Sequence, residues 1–464
     1  MDSRVQHFFE QIKGMKICVI GIGVSHSDLI SRLAEYGAKV TACDKRSREE
    51  LGEALCNNFE AQGIELRLST GYLDNIDADI VLRTPGMKFY QPVFDELRRN
   101  GVVVTSEMEL FFDLCPCKTI AVTGSDGKTT TTTLIAEILK EAGRRVHIGG
   151  NIGRPLMPLI RDIRENDFAV VELSSFQLIS MRQSPDIAVI TNITPNHLDI
   201  HKDMQEYVDA KKNIFLHQGA FSRTVLGVDN EIAASFVDET RGQTFSFSVK
   251  HPVRTGAYLG EDGIIYMSVN GKPQKIMHAS EIKLPGMHNV ENYLAAICAV
   301  WGYADAEAIY NVAVEFGGVE HRIELVREKN GVKWYNDSIA TTPTRTIAGL
   351  DSFQQKLILI AGGYDKKIPF EPLAPKLMEK VKVLILTGTT ADKIEKAVKS
   401  YSGYDASELK ILRAKDLPDA VLLADGQAKD GDIVSLSPAC ASFDAYPNFE
   451  SRGQHFKELV RALL

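Results

Sequence analysis

The chain has 464 residues, too many for one ordinary domain and enough for two to four. Hydrophobic residues make up 44% and charged residues 25%, the balance of a globular protein, and the formal net charge of -8 argues against a nucleic-acid surface. No apolar run is long enough to cross a bilayer, and Met1-Asp-Ser-Arg-Val-Gln-His lacks the apolar core of a signal sequence, so the expectation is a cytoplasmic protein with no membrane partner.

Three segments open with an apolar run leading into a glycine turn: 16–21, 119–124 and 356–362. Strands alternate with helical patterns after each, which predicts an α/β protein of three units with mainly parallel sheets. Residues 80–83 and 102–105 read as later strands of the first unit, and 383–387 and 433–436 as later strands of the third. Between 245 and 283, short alternating segments with Asp262-Gly263 and Asn270-Gly271 turns predict hairpins inserted in the middle unit. Boundaries near Glu107 and Gly318 give segments 1–107, 108–318 and 319–464. The seven cysteines are scattered, several of them in apolar runs (Cys18, Cys43, Cys298), as suits reduced buried thiols. Cys115-Pro-Cys117 has no second Cys/His pair at metal-binding spacing and reads as an interdomain turn.

In the first turn, Gly21-Ile-Gly23-Val-Ser25-His26 follows a strand and Asp44 closes the next one. This fits a dinucleotide fingerprint with its ribose-binding acid, except that His26 stands where close helix–strand packing wants a glycine. The same architecture fits the diphosphate of a different nucleotide, with Arg46 assisting. The residues alone leave both readings open.

The second turn carries more. Ile120-Ala-Val-Thr-Gly124-Ser-Asp-Gly127-Lys128-Thr129-Thr130-Thr131 is a strand, a glycine loop and a helix start, in the order a phosphate-binding loop requires. Glycines let backbone N–H groups turn toward phosphate oxygens. Lys128 bridges the β- and γ-phosphates, and the Thr129 hydroxyl reaches Mg²⁺. Val122 stands where the longer common loop has its first glycine. An exposed turn is the bland alternative; the strand before and the helix after favour ATP or GTP.

Downstream, Glu172 ends the apolar run Phe168-Ala-Val-Val171 and precedes Leu-Ser174-Ser175-Phe-Gln177. A carboxylate there suits Mg²⁺ beside a P-loop and is otherwise a solvated acid. Asn192-Ile-Thr-Pro-Asn196-His197-Leu-Asp199-Ile-His201 crowds polar groups at another strand end. Tyr207-Val-Asp-Ala210-Lys211-Lys212 reads by composition as a basic helix turn. Asn289 and Asn292, in Leu284-Pro-Gly286-Met-His288-Asn289-Val-Glu-Asn292, share a helix face at i, i+3, either as caps or as amides for a base edge. Further candidates are Arg322 in Gly317-Gly318-Val-Glu-His321-Arg322, and Asp337 in Asp337-Ser-Ile339-Ala-Thr341-Thr342. Lys366 follows the glycine turn Ala361-Gly-Gly363-Tyr-Asp365. The run Ser437-Pro-Ala-Cys-Ala-Ser442-Phe443-Asp444 leads to Phe449-Glu-Ser-Arg452-Gly453.

Together these motifs resemble those of the Mur ligases, the ATP-dependent amino-acid ligases of peptidoglycan precursor synthesis, from the first glycine turn to Phe456. The resemblance implies a Rossmann-like N-terminal domain for a UDP-linked substrate, a central P-loop domain with a mostly parallel sheet for ATP, and a mobile, Rossmann-like C-terminal domain for the incoming amino acid. It assigns Gly124, Ser125, Asp126, Gly127, Lys128, Thr129, Thr130, Asn289, Asn292, Arg322 and Asp337 to ATP. Thr129, Glu172, His197 and Lys211 are implied as ligands of two Mg²⁺ ions, with Lys211 carrying a carbamate derived from CO₂. The implied catalytic group is Lys128, Glu172, His197 and Lys211.

Ser25, Asp44, Arg46, Thr84, Gly86, Asn151, Ser174 and His197 match contacts to the UDP-linked substrate. Thr341, Lys366, Ser442, Phe443 and Phe449 match the amino-acid pocket. The Ser-Pro-Ala-Cys-Ala-Ser-Phe-Asp run implies D-glutamate in that pocket and UDP-N-acetylmuramoyl-L-alanine as the other substrate. The Asp-Asn-Pro-Arg segment that marks the diaminopimelate- or lysine-adding member is not found. His26, Asn196, Ile339 and Thr342 depart from the family pattern, which has glycine, often aspartate, lysine and asparagine there.

The implied reaction runs through an acyl phosphate, with domain closure excluding water. A monomer serving cell-wall biogenesis, and so cell shape and division, is expected. Three rivals remain. A sister or folylpolyglutamate-type ligase is disfavoured by the Ser442 run. An NAD-dependent oxidoreductase, resting on Gly21 to Asp44, leaves the P-loop unexplained. A nucleotide-gated binding protein sits badly with intact Lys128, Glu172, His197 and Lys211.

Overall fold

The computed structural model describes residues 2–87, 89–153, 155–195, 201–365 and 368–463, with only the backbone of 24 and 25. The chain divides into two compact units, Met1–Ile282 with Met287–Glu315, and Lys283–Gly286 with Phe316–Leu464.

The first unit holds two sheets. One is built from β1 (Lys16–Ile20), β2 (Lys39–Asp44), β3 (Glu65–Leu68), β4 (Ile80–Arg83) and β5 (Val103–Thr105), in the order β3-β2-β1-β4-β5, all parallel. Residues 17–20 of β1 are all buried, the continuous apolar run of a central strand covered on both faces. At the edge, β3 (Glu-Leu-Arg-Leu) has no fully buried residue.

The second sheet has nine strands: β6 (Lys118–Thr123), β7 (Val146–Gly150), β8 (Phe168–Glu172), β9 (Ile187–Ile190), β10 (Arg223–Gly227), β11 (Gln243–Ser248), β12 (Gly256–Leu259), β13 (Ile264–Val269) and β14 (Lys272–His278). Their order is β14-β13-β12-β11-β10-β9-β6-β8-β7. It is parallel from β7 to β12, and the predicted hairpins are the antiparallel β12–β13–β14 extension. Asn270 and Gly271 both take positive φ in the second of those turns, as a tight hairpin demands.

One apolar core runs through both sheets of this unit. It joins Phe9, Ile30 and Leu33 to Leu114, Leu156, Met157 and Ile160. A buried polar link joins them too. Arg83, at the end of β4, donates through Nη2 to Ser180 Oγ at 2.8 Å and to the Phe176 carbonyl at 3.3 Å, and Ser180 Oγ also lies 3.2 Å from Glu109 Oε2.

The second unit has a six-stranded sheet of β15 (Glu324–Lys329), β16 (Val332–Asn336), β17 (Leu357–Gly362), β18 (Val381–Thr387), β19 (Lys410–Arg413) and β20 (Ile433–Leu436). The order is β15-β16-β20-β17-β18-β19, parallel except for the β15–β16 pair. Strand β17 feeds both faces with period two: Leu357, Leu359 and Ala361 enter one core, Ile358 and Ile360 the other. The predicted α/β class with three mainly parallel sheets is therefore the observed one.

Candidate active site

Candidate side chains of the first unit gather at the carboxyl ends of β6, β8 and β9, where open α/β sheets place ligands. After β6 the chain turns through Gly124-Ser-Asp-Gly127 into the helix Lys128–Glu141. Gly127 sits before that helix at φ 77 and Gly124 at φ 154. A Cβ on Gly127 would run into Asn292 Oδ1, and one on Gly124 into Thr191 Oγ1, so both positions need glycine for space as well as for backbone shape. Asp126 N donates to Asn192 Oδ1 at 2.9 Å. Ser125 Oγ donates to the Thr194 carbonyl at 2.9 Å and lies 2.9 Å from the Tyr207 hydroxyl. The loop is thus pinned by the segment after β9. Lys128 Nζ folds back onto the carbonyls of Gly124 (3.0 Å) and Ser125 (2.9 Å). Thr129 is buried, with its carbonyl accepting from Thr133 Oγ1 at 2.8 Å, and Thr130 is half-buried.

Asn289 and Asn292 lie on the helix Met287–Val300, and both are buried. Asn292 Nδ2 donates to Asn289 Oδ1 at 3.2 Å, while its Oδ1 accepts from Thr131 Oγ1 at 3.2 Å. The pair therefore braces the loop's helix.

Glu172, the last residue of β8, is 1% exposed. Its Oε1 accepts from Asn151 Nδ2 at 2.7 Å, and its Oε2 is buried with no hydrogen-bond partner among the described residues. A buried, half-satisfied carboxylate and a loop-following hydroxyl are the donor chemistry of a hard-cation site. Thr129 and Glu172 thus fit Mg²⁺. Lys211, on the helix Met204–Leu216, is 2% exposed, and its Nζ reaches the Gly124 carbonyl at 2.8 Å and Thr123 Oγ1 at 3.2 Å. Burial pushes its amine well below the ordinary lysine value, and repulsion from Lys128 adds to this against the pull of Glu172 and Asp126. The neighbouring Lys212 instead pairs with Glu239 at 2.6 Å. His197 and Asn196 lie outside the described residues. Among the described residues no three His, Cys, Asp or Glu side chains cluster as a metal site. Ser174 caps the short helix Ser175–Leu178 in a box with Gln177.

In the first sheet, Asp44 Oδ2 accepts from Ile22 N at 2.7 Å and from Arg46 Nη2 at 2.8 Å. Burial opposes ionisation, but the Arg46 and backbone bonds win and hold the Asp44 carboxyl below its usual value. Arg46 Nη2 also donates to the Ile22 carbonyl at 2.7 Å, tying it to the first glycine turn. His26, placed where a glycine is expected, turns inward: it is 1% exposed and its Nδ1 lies 2.9 Å from the Gly21 carbonyl. The turn accommodates it beneath the loop rather than toward a ligand. Thr84 packs against Gly21, and Gly86 is exposed. The Ser25 side chain lies outside the description.

In the second unit, Asp337 follows β16, and its Oδ2 accepts from Ser437 Oγ at 2.7 Å. Burial pushes its carboxyl up to about 7, against the Ser437 bond and the charge of the half-buried Arg322. Thr341 is half-buried, its backbone N 2.8 Å from the Ile339 carbonyl. Ser442 is buried, while Phe443 is 63% exposed and meets Tyr364 edge-on at 5.8 Å between ring centroids, so it is not a core residue. Phe449 meets the His321 ring edge-on at 6.1 Å, and its carbonyl accepts from Ser338 Oγ at 2.8 Å. Lys366 lies outside the described residues.

Two buried arginines carry more than their motifs announced. Arg83 is described above. Arg452 donates through Nε to Ser338 Oγ (3.0 Å), through Nη2 to the Ser338 (2.9 Å) and Cys440 (3.1 Å) carbonyls, and through Nη1 to the Ala441 carbonyl (3.0 Å). It fastens the Asp337-Ser338 turn to the Cys440-to-Ser442 turn. Burial lowers its pKa to about 10. The available signal was an arginine closing an apolar strand in one case and an Arg-Gly pair inside an apolar helix face in the other.

Residues 122–300 match the family model described as Mur ligase middle domain, and residues 321–440 that described as Mur ligase, glutamate ligase domain. A curated relative from Acetivibrio thermocellus, named UDP-N-acetylmuramoylalanine--D-glutamate ligase, is 51% identical over the whole of both chains. A relative of the same name from Clostridium botulinum is 48% identical, again end to end. Among solved structures, the UDP-N-acetylmuramate-alanine ligase MurC of Thermotoga maritima shares the fold at a TM-score of 0.58 and 20% identity, covering 97% of this chain and 99% of its own. A UDP-N-acetylmuramoyl-L-alanyl-D-glutamate--2,6-diaminopimelate ligase does so at 0.55 and 18%, covering 98% and 94%. With full-length identity near one half and two family models matched in order, this chain belongs to the Mur ligase family.

Proposed function

We infer that this chain is an ATP-dependent ligase that joins D-glutamate to UDP-N-acetylmuramoyl-L-alanine in peptidoglycan precursor synthesis, giving ADP and phosphate. The carrying observation is end-to-end identity of 51% with a relative named for that activity. Segments 1–107, 108–318 and 319–464 are assigned to the UDP-linked substrate, to ATP and to the amino acid. A cytoplasmic location and a monomeric state belong to the same reading. The location is supported by seven free thiols.

A carboxylate is a poor acyl donor until one oxygen becomes a good leaving group, which is why ATP is consumed. Backbone N–H groups of Gly127 to Thr130, at the start of the helix, cradle the phosphates, and Lys128 leaves its loop carbonyls to meet the β- and γ-oxygens. Asn289, Asn292, Arg322 and Asp337 serve the rest of the nucleotide. Thr129, Glu172, His197 and Lys211 would hold Mg²⁺, which when bound neutralises charge spreading over the phosphoryl oxygens.

Lys211 has the character this requires. Its buried amine is pushed toward the neutral form, which adds to CO₂ with loss of one proton and yields an anionic oxygen ligand. Asn151 orients Glu172 through its 2.7 Å bond. Ser25, Asp44, Arg46, Thr84, Gly86, Ser174 and His197 position the UDP-linked substrate so that its alanyl carboxylate attacks the γ-phosphorus. The amine of D-glutamate, held by Thr341, Lys366, Ser442, Phe443 and Phe449, then attacks the acyl phosphate, and phosphate leaves.

Isotopic labelling of the alanyl carboxylate oxygens tests this chemistry. One labelled oxygen should appear in the released phosphate; unlabelled phosphate would rule out the acyl phosphate.

A further inference from the structure

Both ring nitrogens of His201 have partners, although the side chain is only 4% exposed. Nε2 lies 2.9 Å from Ser175 Oγ and Nδ1 lies 3.3 Å from Glu206 Oε2. The ring stacks on Phe176, with 5.2 Å between centroids and 6° between planes, and meets Tyr207 edge-on at 5.4 Å. A carboxylate only accepts, so Nδ1 donates to Glu206, and in the neutral ring Nε2 accepts from the Ser175 hydroxyl. Glu206 Oε2 is fixed in turn by the backbone N–H of Lys202 at 2.9 Å. A buried polar ring satisfied on both sides holds its neighbours in one arrangement. Phenylalanine supplies the stacking without the bonds, and an amide side chain supplies a bond without the stacking.

These partners come from two segments. Ser175 and Phe176 belong to the turn after β8, directly behind Glu172 and Ser174. Glu206 and Tyr207 lie in the first turns of the helix that carries Lys211. Lys211 Nζ sits 4.8 Å from the centre of the Tyr207 ring, and the Tyr207 hydroxyl is 2.9 Å from Ser125 Oγ in the phosphate-binding loop. On the other side, the Phe176 carbonyl accepts from Arg83, the neighbour of Thr84. His201 thus fastens the Ser174–Phe176 turn to the Lys211 helix. The loop itself keeps separate ties to Asn192 and Thr194.

We propose that His201 is a positioning residue for the ligase reaction inferred above, on which this role rests. It sets the distance between the alanyl carboxylate of the UDP-linked substrate, beside Ser174, and the γ-phosphate, beside Lys211. It acts through Ser175 and Tyr207, not by touching a reacting atom. Without its two hydrogen bonds the Ser174 turn and the Lys211 helix shift against each other, and the attacking oxygen loses its line to phosphorus.

The test measures steady-state phosphate release by the wild type, His201→Phe, Ser175→Ala and the double variant. Each of the three substrates is varied in turn, and urea midpoints are recorded alongside. His201→Phe keeps a ring against Phe176 and Tyr207 and removes both hydrogen bonds. Its kcat should fall about tenfold and its KM for the UDP-linked substrate should rise, while KM for ATP and for D-glutamate stays within about twofold. Ser175→Ala removes a single oxygen, disturbs the fold least, and should reproduce most of the loss. The double variant should be no worse than His201→Phe, because the two side chains act as one unit. Additive losses, wild-type kinetics in both single variants, or KM values for all three substrates rising together with a lowered urea midpoint would each overturn the positioning role. A wild type that releases no phosphate with the UDP-linked substrate and D-glutamate would overturn the activity itself, and the role with it.

Discussion

Lys211 Nζ and the Gly124 carbonyl oxygen lie 2.8 Å apart, so the buried lysine of one helix is hydrogen-bonded to the first glycine of the phosphate-binding loop. The contact places the side chain proposed to carry a carbamate beside the loop proposed to carry phosphates. The same placement lowers the amine's pKa well below the ordinary lysine value, because burial and Lys128 both oppose its charge.

Lys211→Ala should abolish turnover while leaving the chain folded, and a small carboxylate added to the buffer should restore part of the activity by standing in for the anion. Steady-state phosphate release with and without formate or acetate measures this. Undiminished turnover in the variant would remove Lys211 from the mechanism.

Gly127→Ala should weaken ATP binding by about tenfold or more. A left-handed backbone costs a non-glycine residue about 1–2 kcal/mol, and the new methyl group meets Asn292 Oδ1. Asn292 holds Thr131 and Asn289, so the strain passes into the loop's own helix. Calorimetric titration with a non-hydrolysable ATP analogue reads it; wild-type affinity would show that the loop yields freely.

Arg452→Met should lower stability by about 3 kcal/mol, since three buried carbonyls lose their donor and each unsatisfied group costs about 1–3 kcal/mol. The KM for D-glutamate should rise more than that for ATP, because Arg452 fastens the turn carrying Ser442. Arg452→Lys, with fewer donors in a different geometry, should recover only part. An unchanged urea midpoint in the methionine variant would mean the turns hold without it.

Asp337 gives a pH dependence with a definite sign. Its folded pKa is raised to about 7 from 3.8. Between those values the unfolded chain has released a proton that the folded chain retains, so stability falls as pH rises across that window. Asp337→Asn should remove this contribution and leave a flatter profile of urea midpoint against pH between about 4 and 7. A slope identical to wild type would show that Asp337 does not titrate as described.

The sequence was most readable where one residue type does one job. Gly124 and Gly127 announce the loop because no other residue fits beside Thr191 and Asn292. The turns at Gly263 and Asn270-Gly271 announce the hairpins. Edge strands such as β3 (Glu-Leu-Arg-Leu) escaped because half-exposed positions carry charge and blur the alternation. Strand β7 (Val-His-Ile-Gly-Gly) escaped because histidine and glycine do not look like strand. His26 read as an obstacle in the first turn, yet it folds inward onto the Gly21 carbonyl, which periodicity does not reveal. Arg83 and Arg452 were legible only as charges; that they are buried brackets between segments far apart in the chain follows from the tertiary fold.

The most direct test measures phosphate release from ATP with UDP-N-acetylmuramoyl-L-alanine and one amino acid at a time: D-glutamate, L-glutamate, L-alanine, L-lysine or diaminopimelate. The account predicts release only when the UDP-linked substrate and D-glutamate are both present. Release with a different amino acid, or none with D-glutamate, would contradict it.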